Sequence, residues 1–85
     1  MTTFAKITKE LPELNNNCNY GDWRKDVSIW KLVNKDADPK QFGGLLYLSL
    51  KGKTREYVRD LTEAQIGAEN GFDIVLKKLD EISQR

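Results

Sequence analysis

The sequence predicts an all-α domain: a compact bundle of about four main helices plus a one-turn helix over residues 19–85, preceded by an extended segment over residues 1–18. Three observations predict it. Trp23, Val27 and Trp30 recur at i, i+4 and i+7, and so do Phe72, Leu76 and Leu79; that spacing places each set on one face of a 3.6-residue helix. Helix-starting and helix-stopping residues fall between the apolar stretches: Asp38-Pro39, Thr62 with Gln65, and Gly67. The one run with strand composition, residues 45–50 (LLYLSL), has no second run to pair with.

Taken in order, Phe4, Ile7, Leu11 and Leu14 recur at helical spacing. Pro12, however, removes a backbone donor and disfavours helical geometry at Leu11, so the segment reads as extended. These four apolar residues are the candidates for a groove or subunit contact. Asn15 to Asn19, with Cys18 among four asparagines, and then Gly21 form a turn-rich break. The first helix is expected from Asp22, a capping residue, with Ile29 and Val33 widening the stripe of Trp23, Val27 and Trp30, and with Arg24, Lys25, Asp26 and Lys31 on the other faces. Two tryptophans on one helical face mean a core anchor in most small domains; the alternative is a groove lined by indole rings.

Asp38-Pro39 starts the second helix, an N-cap followed by proline at the first helical position, with Phe42, Leu45, Leu46, Ser49 and Leu50 on one side. Gly43-Gly44 either weakens its interior or delays its start to near Gly44. After Lys51-Gly52, a third short helix carries Thr54, Tyr57, Val58 and Leu61 inward, with Lys53, Arg55, Glu56, Arg59 and Asp60 outward. Thr62 and Gln65 have capping-box spacing, so one turn of helix ends at Gly67. The last helix opens at Asn70-Gly71 and bears Phe72, Val75, Leu76, Leu79 and Ile82, with Asp73–Lys77 and Lys77–Glu81 as i, i+4 pairs. The expected core anchors are Trp23, Val27, Trp30, Leu46, Leu50, Tyr57, Leu61, Phe72, Leu76 and Leu79.

The composition narrows the function. With one cysteine and no histidine, an intramolecular disulfide, a Cys/His zinc site and a histidine-based triad are excluded. No phosphate-cradling glycine motif and no isolated carboxylate pair is present, so neither an enzyme nor a cofactor is expected. A net charge of +1 supplies no long-range attraction to polyanions. The run Lys51, Lys53, Arg55 and Arg59 around Tyr57 contains Glu56 and Asp60, the pattern of a solvated face, and nucleic acid is not the expected partner. The lone Cys18 and the absence of a long apolar run give the expectation of an intracellular, cytoplasmic chain without membrane contact.

Leu14, Asn19-Tyr20-Gly21-Asp22-Trp23, Trp30, the run from Leu46 through Leu50-Lys51-Gly52-Lys53-Thr54-Arg55, Leu61, and the stretch from Gly71 to Ile82 follow one another in an informative order. That order resembles the capsid region of Gag proteins from LTR retrotransposons of the gypsy or copia type, over about three quarters of the chain. The family shows an Asn-Tyr-x-x-Trp opening to its first helix and a Leu-x-Gly-x-Ala segment between middle helices; here the alanine position is Thr54, and the glycine expected between Leu14 and Asn19 is absent. The resemblance is to the N-terminal capsid lobe alone, as a fragment or a domesticated domain. It implies a structural role, with copies of the chain as partners in a capsid or virus-like particle. Its alternative implication is a peptide-binding module in which an extended ligand, or residues 4–14 themselves, fills a hydrophobic groove.

Overall fold

Helix-starting chemistry sets the element boundaries. The computed structural model describes residues 6–7, 10–14 and 19–83. Five helices follow one another: α1 (Tyr20–Val33), α2 (Pro39–Ser49), α3 (Lys53–Tyr57), α4 (Glu63–Ile66) and α5 (Gly71–Ser83). No strand occurs among the described residues. The fold is the all-α bundle that the sequence predicts, with α3 the shortest of its four main helices.

The first helix starts at Tyr20, ahead of the expected Asp22, because Asn19 is the cap: its side chain accepts the Asp22 N–H at 3.2 Å. Asp22 then lies in the first turn, where a carboxylate faces the positive end of the helix dipole. At α2, the Asp38 side chain accepts the Lys40 N–H at 3.0 Å and Pro39 occupies the first position. The capping box of α4 is complete: Gln65 N–H donates to Thr62 Oγ1 at 3.1 Å and Thr62 N–H to Gln65 Oε1 at 2.8 Å.

The core comprises Trp23, Val27, Trp30, Ala37, Phe42, Leu46, Leu50, Val58, Phe72, Val75, Leu76 and Leu79. At its centre Trp30 meets Phe42 edge-on at 5.3 Å and stacks on Phe72 at 6.4 Å, while Phe42 and Phe72 make a second edge-on contact at 6.2 Å. Such pairs contribute about 0.5–1.5 kcal/mol each beyond the area they bury. Tyr20 and Arg24, early in α1, reach Asp80 late in α5, while Lys31, late in α1, reaches Asp73 early in α5. The two helices therefore run antiparallel.

Gly43 and Gly71 explain how α2 approaches α5. A Cβ built on Gly43 would stand 2.8 Å from the carbonyl carbon of Gly71, and one on Gly71 would stand 2.7 Å from the carbonyl carbon of Ile66. Neither site has room for a methyl group, so backbone packs on backbone. Helix α2 consequently runs through both glycines from Pro39, and the delayed start near Gly44 does not occur.

Several side chains depart from their expected directions. Tyr57, expected in the core, is 46% exposed, whereas its neighbour Val58 is fully buried. Helix α3 spans only five residues and ends at Tyr57, so one of the two adjacent apolar positions faces inward, and the smaller Val58 takes it. Leu61 is partly buried against the core. Ile29, Val33 and Leu45 do not widen the buried stripes but face outward. Arg55 folds back to donate to the carbonyls of Leu50 (3.1 Å) and Leu48 (3.2 Å), with its guanidinium 4.6 Å from the Tyr47 ring centroid. It thereby satisfies carbonyls left open at the end of α2. Asp73 reaches across to Lys31 at 3.7 Å, a tertiary contact in place of the i, i+4 pairing expected along α5.

Candidate interaction surface

Backbone outside regular structure that lies against a helix needs donors for its carbonyls, and the sequence supplies one in an indole. Trp23 is 2% exposed, yet its Nε1–H donates to the carbonyl of Pro12 at 3.0 Å. Proline has already removed a donor here, so a side chain anchors the segment through its carbonyl. Ile7, Leu11 and Leu14 are partly buried against the core, and Lys51 approaches Glu13 at 3.7 Å. Three of the four residues expected to form a groove or subunit contact thus lie against their own chain. Phe4 lies outside the described residues, as does Cys18.

Beside this segment a groove of about 320 Å³ is lined by Glu10, Pro12, Asp26, Ile29, Trp30 and Val33. A second groove, of about 340 Å³, lies on the other side of α1, lined by Ser28, Lys31, Leu32, Lys35, Pro39 and Phe42. Between them rises an apolar ridge, with Leu32 69%, Val33 57% and Ile29 45% exposed. On α2, Leu48 is 66% exposed. A helix of 14 residues with Trp23, Val27 and Trp30 buried on one face and three large aliphatic side chains on another is apolar on two sides. Trp30 is buried in the core and also borders the first groove.

A polar cluster locks the start of α1 to the end of α5. Tyr20 Oη–H donates to Asp80 Oδ1 at 2.6 Å, and Arg24 Nε reaches the same oxygen at 3.2 Å while its Nη2 reaches Oδ2 at 3.3 Å. Arg24 Nη1 also donates to Ser28 Oγ at 2.8 Å. Burial, and then the hydrogen bond to the neighbouring carboxylate, hold the Tyr20 phenol well above its ordinary value. Burial pulls the Asp80 carboxyl upward, but the bonds from Tyr20 and Arg24 outweigh it and hold the group below 3.8. Two residues before Asp80, also on α5, Lys78 donates to Asp60 at 3.0 Å, and that hydrogen bond lowers the Asp60 pKa. Each charge has a structural partner, which is the arrangement of a brace rather than of a poised acid or base.

Two members of the basic run are drawn into contacts within the chain. Arg55 donates to the end of α2, and Lys51 approaches Glu13 at 3.7 Å. Among the described residues no group of three or more potential metal ligands gathers, and no helix there is long and apolar enough to cross a membrane. Sequence reasoning missed Leu32, Leu48 and the Arg55 cap. For Leu32 the signal was present: nine residues after Trp23 it falls opposite the buried stripe on a helical wheel. Comparison of the chain with protein-family models, with curated proteins and with solved structures finds no match.

Proposed function

We propose that this chain is a structural interaction domain, akin to the N-terminal capsid lobe of retrotransposon Gag, that makes repeated contacts with copies of itself in a capsid or virus-like particle. One observation carries the reading: with both tryptophans turned inward, α1 and α2 still present Ile29, Leu32, Val33 and Leu48 on the outside. Exposed aliphatic side chains gathered on one helix mark a binding surface on a small domain. The order of motifs from Asn19 to Ile82 supports the capsid assignment, and a net charge of +1 leaves copies little mutual repulsion. Contacts of this size are individually weak and become effective when repeated in a closed assembly. Sedimentation of the chain at rising concentration is expected to show reversible association approaching about 1 mM. A strictly monomeric chain up to that concentration would overturn the reading.

The Trp23 to Pro12 hydrogen bond favours a second reading, in which the face holding residues 10–14 accepts an extended peptide. A chain lacking residues 1–14, titrated with a synthetic peptide of residues 1–18, should then change its tryptophan emission saturably. A flat titration with a folded truncated chain removes this reading.

A further inference from the structure

We propose that the outer face of α1 is a two-fold contact, packed antiparallel against α1 of a second copy of this chain. The inference rests on the self-association reading above and names the surface that performs it. Lys25, Ile29, Leu32 and Asp36 follow at spacings of four, three and four residues. At 100° per residue the three that belong to α1, Lys25, Ile29 and Leu32, fall within an arc of about 60°, on the side of the helix away from Trp23, Val27 and Trp30. Asp36 lies in the turn that follows the end of α1, where Asn34 N–H donates to the Trp30 carbonyl at 3.2 Å and Lys35 N–H to that of Leu32 at 3.3 Å, so its carboxylate stands just past the last turn of the helix. All four side chains are exposed.

This stripe complements itself when reversed. A two-fold axis passing between residues 30 and 31 sets Lys25 against Asp36 of the second copy and Ile29 against Leu32 of the second copy, and each pair occurs twice. That reciprocity is the requirement for an isologous contact. Parallel pairing of the same stripe would put lysine against lysine and aspartate against aspartate, so the charges also select direction. Within one copy Lys25 lies more than two turns of helix before the turn that holds Asp36, and the two do not pair. Neither makes an ion pair among the described residues. A second copy supplies the complement from the same stripe and gains two ion pairs and a closed aliphatic centre.

Sedimentation equilibrium on the full chain and on Lys25→Asp, Asp36→Lys and Leu32→Lys tests the contact. Each charge reversal is expected to weaken self-association roughly tenfold, because two attractive pairs become repulsive. An equimolar mixture of Lys25→Asp with Asp36→Lys should regain the wild-type affinity, since each mixed pair restores opposite charges. Leu32→Lys should weaken association at least as much as either reversal. Circular dichroism should be unchanged throughout, all three sites being exposed. If the wild-type chain associates but the reversals and their mixture behave alike, the α1 contact is wrong while self-association stands. If the wild-type chain stays monomeric, both fail.

Discussion

Trp23 and Trp30 do different work although they share a helical face. Trp30 sits among Phe42 and Phe72 and owes its place to ring packing; Trp23 adds a hydrogen bond to Pro12 that ties the N-terminal segment down. Trp30→Ala should therefore cost about 3–5 kcal/mol in urea unfolding, a large share of the stability of an 85-residue domain. Trp23→Phe keeps most of the apolar volume but deletes the donor. Its expected cost is smaller, about 1–2 kcal/mol, with faster amide exchange at residues 10–14 as the distinguishing readout. Tyr20, Arg24 and Asp80 make stability depend on pH. The folded state holds Asp80 below 3.8, so its contribution is complete above that value and disappears as pH falls through the lowered one. Tyr20 is raised above 10.0, so its contribution is complete below pH 10 and is lost as alkali ionises the phenol. Asp80→Asn should flatten the acid limb of the stability profile, by about 1 kcal/mol or less because the pair is partly exposed.

At the scale of the element, the two adjacent glycines of α2 have opposite roles. Gly43 sits against Gly71 with no space for a Cβ, and Gly44 has nothing within 4 Å of one. Gly43→Ala should destabilise, by about 1–3 kcal/mol, since backbone must move. Gly44→Ala should stabilise by about 0.5–1 kcal/mol through helix propensity alone. Thermal melts of the two variants, shifted in opposite directions, check the crossing. Gly52, at φ 61° and ψ −136°, lets the chain turn from α2 into α3, and Gly52→Ala should cost about 1–3 kcal/mol. Each of these glycines is visible in the sequence as punctuation. Composition could not separate the crossing site from the open one, because the difference lies in what the neighbouring helix brings.

At the scale of the whole molecule, the N-terminal segment closes a face of the bundle that the helices leave open. Ile7, Leu11 and Leu14 pack there, and Leu14 also borders a cavity of about 190 Å³ with Tyr20, Thr54, Tyr57, Leu79, Ile82 and Ser83. Deleting residues 1–14 should lower the unfolding free energy by about 1–3 kcal/mol, part of the burial being offset by the entropy no longer spent on ordering the segment. Increased binding of an apolar dye by the truncated chain would report the uncovered face; unchanged stability and dye binding would show that the segment contributes little.

Local chemistry determined much of this protein from the sequence by itself. Helix number, the caps at Asp38 and Thr62 and the burial of Trp23, Val27, Trp30 and Phe72 all follow from spacing, propensity and capping chemistry within a few residues. Tertiary structure alone decided which of Tyr57 and Val58 turns inward, that Arg55 closes α2, and that Ile29 and Val33 stand outside beside Leu32 with a groove on either side. The reason is geometric. A helix with apolar residues on more than one side leaves open which side is buried, and only the position of its neighbours, fixed here by the Gly43–Gly71 crossing and the antiparallel pairing of α1 with α5, selects one.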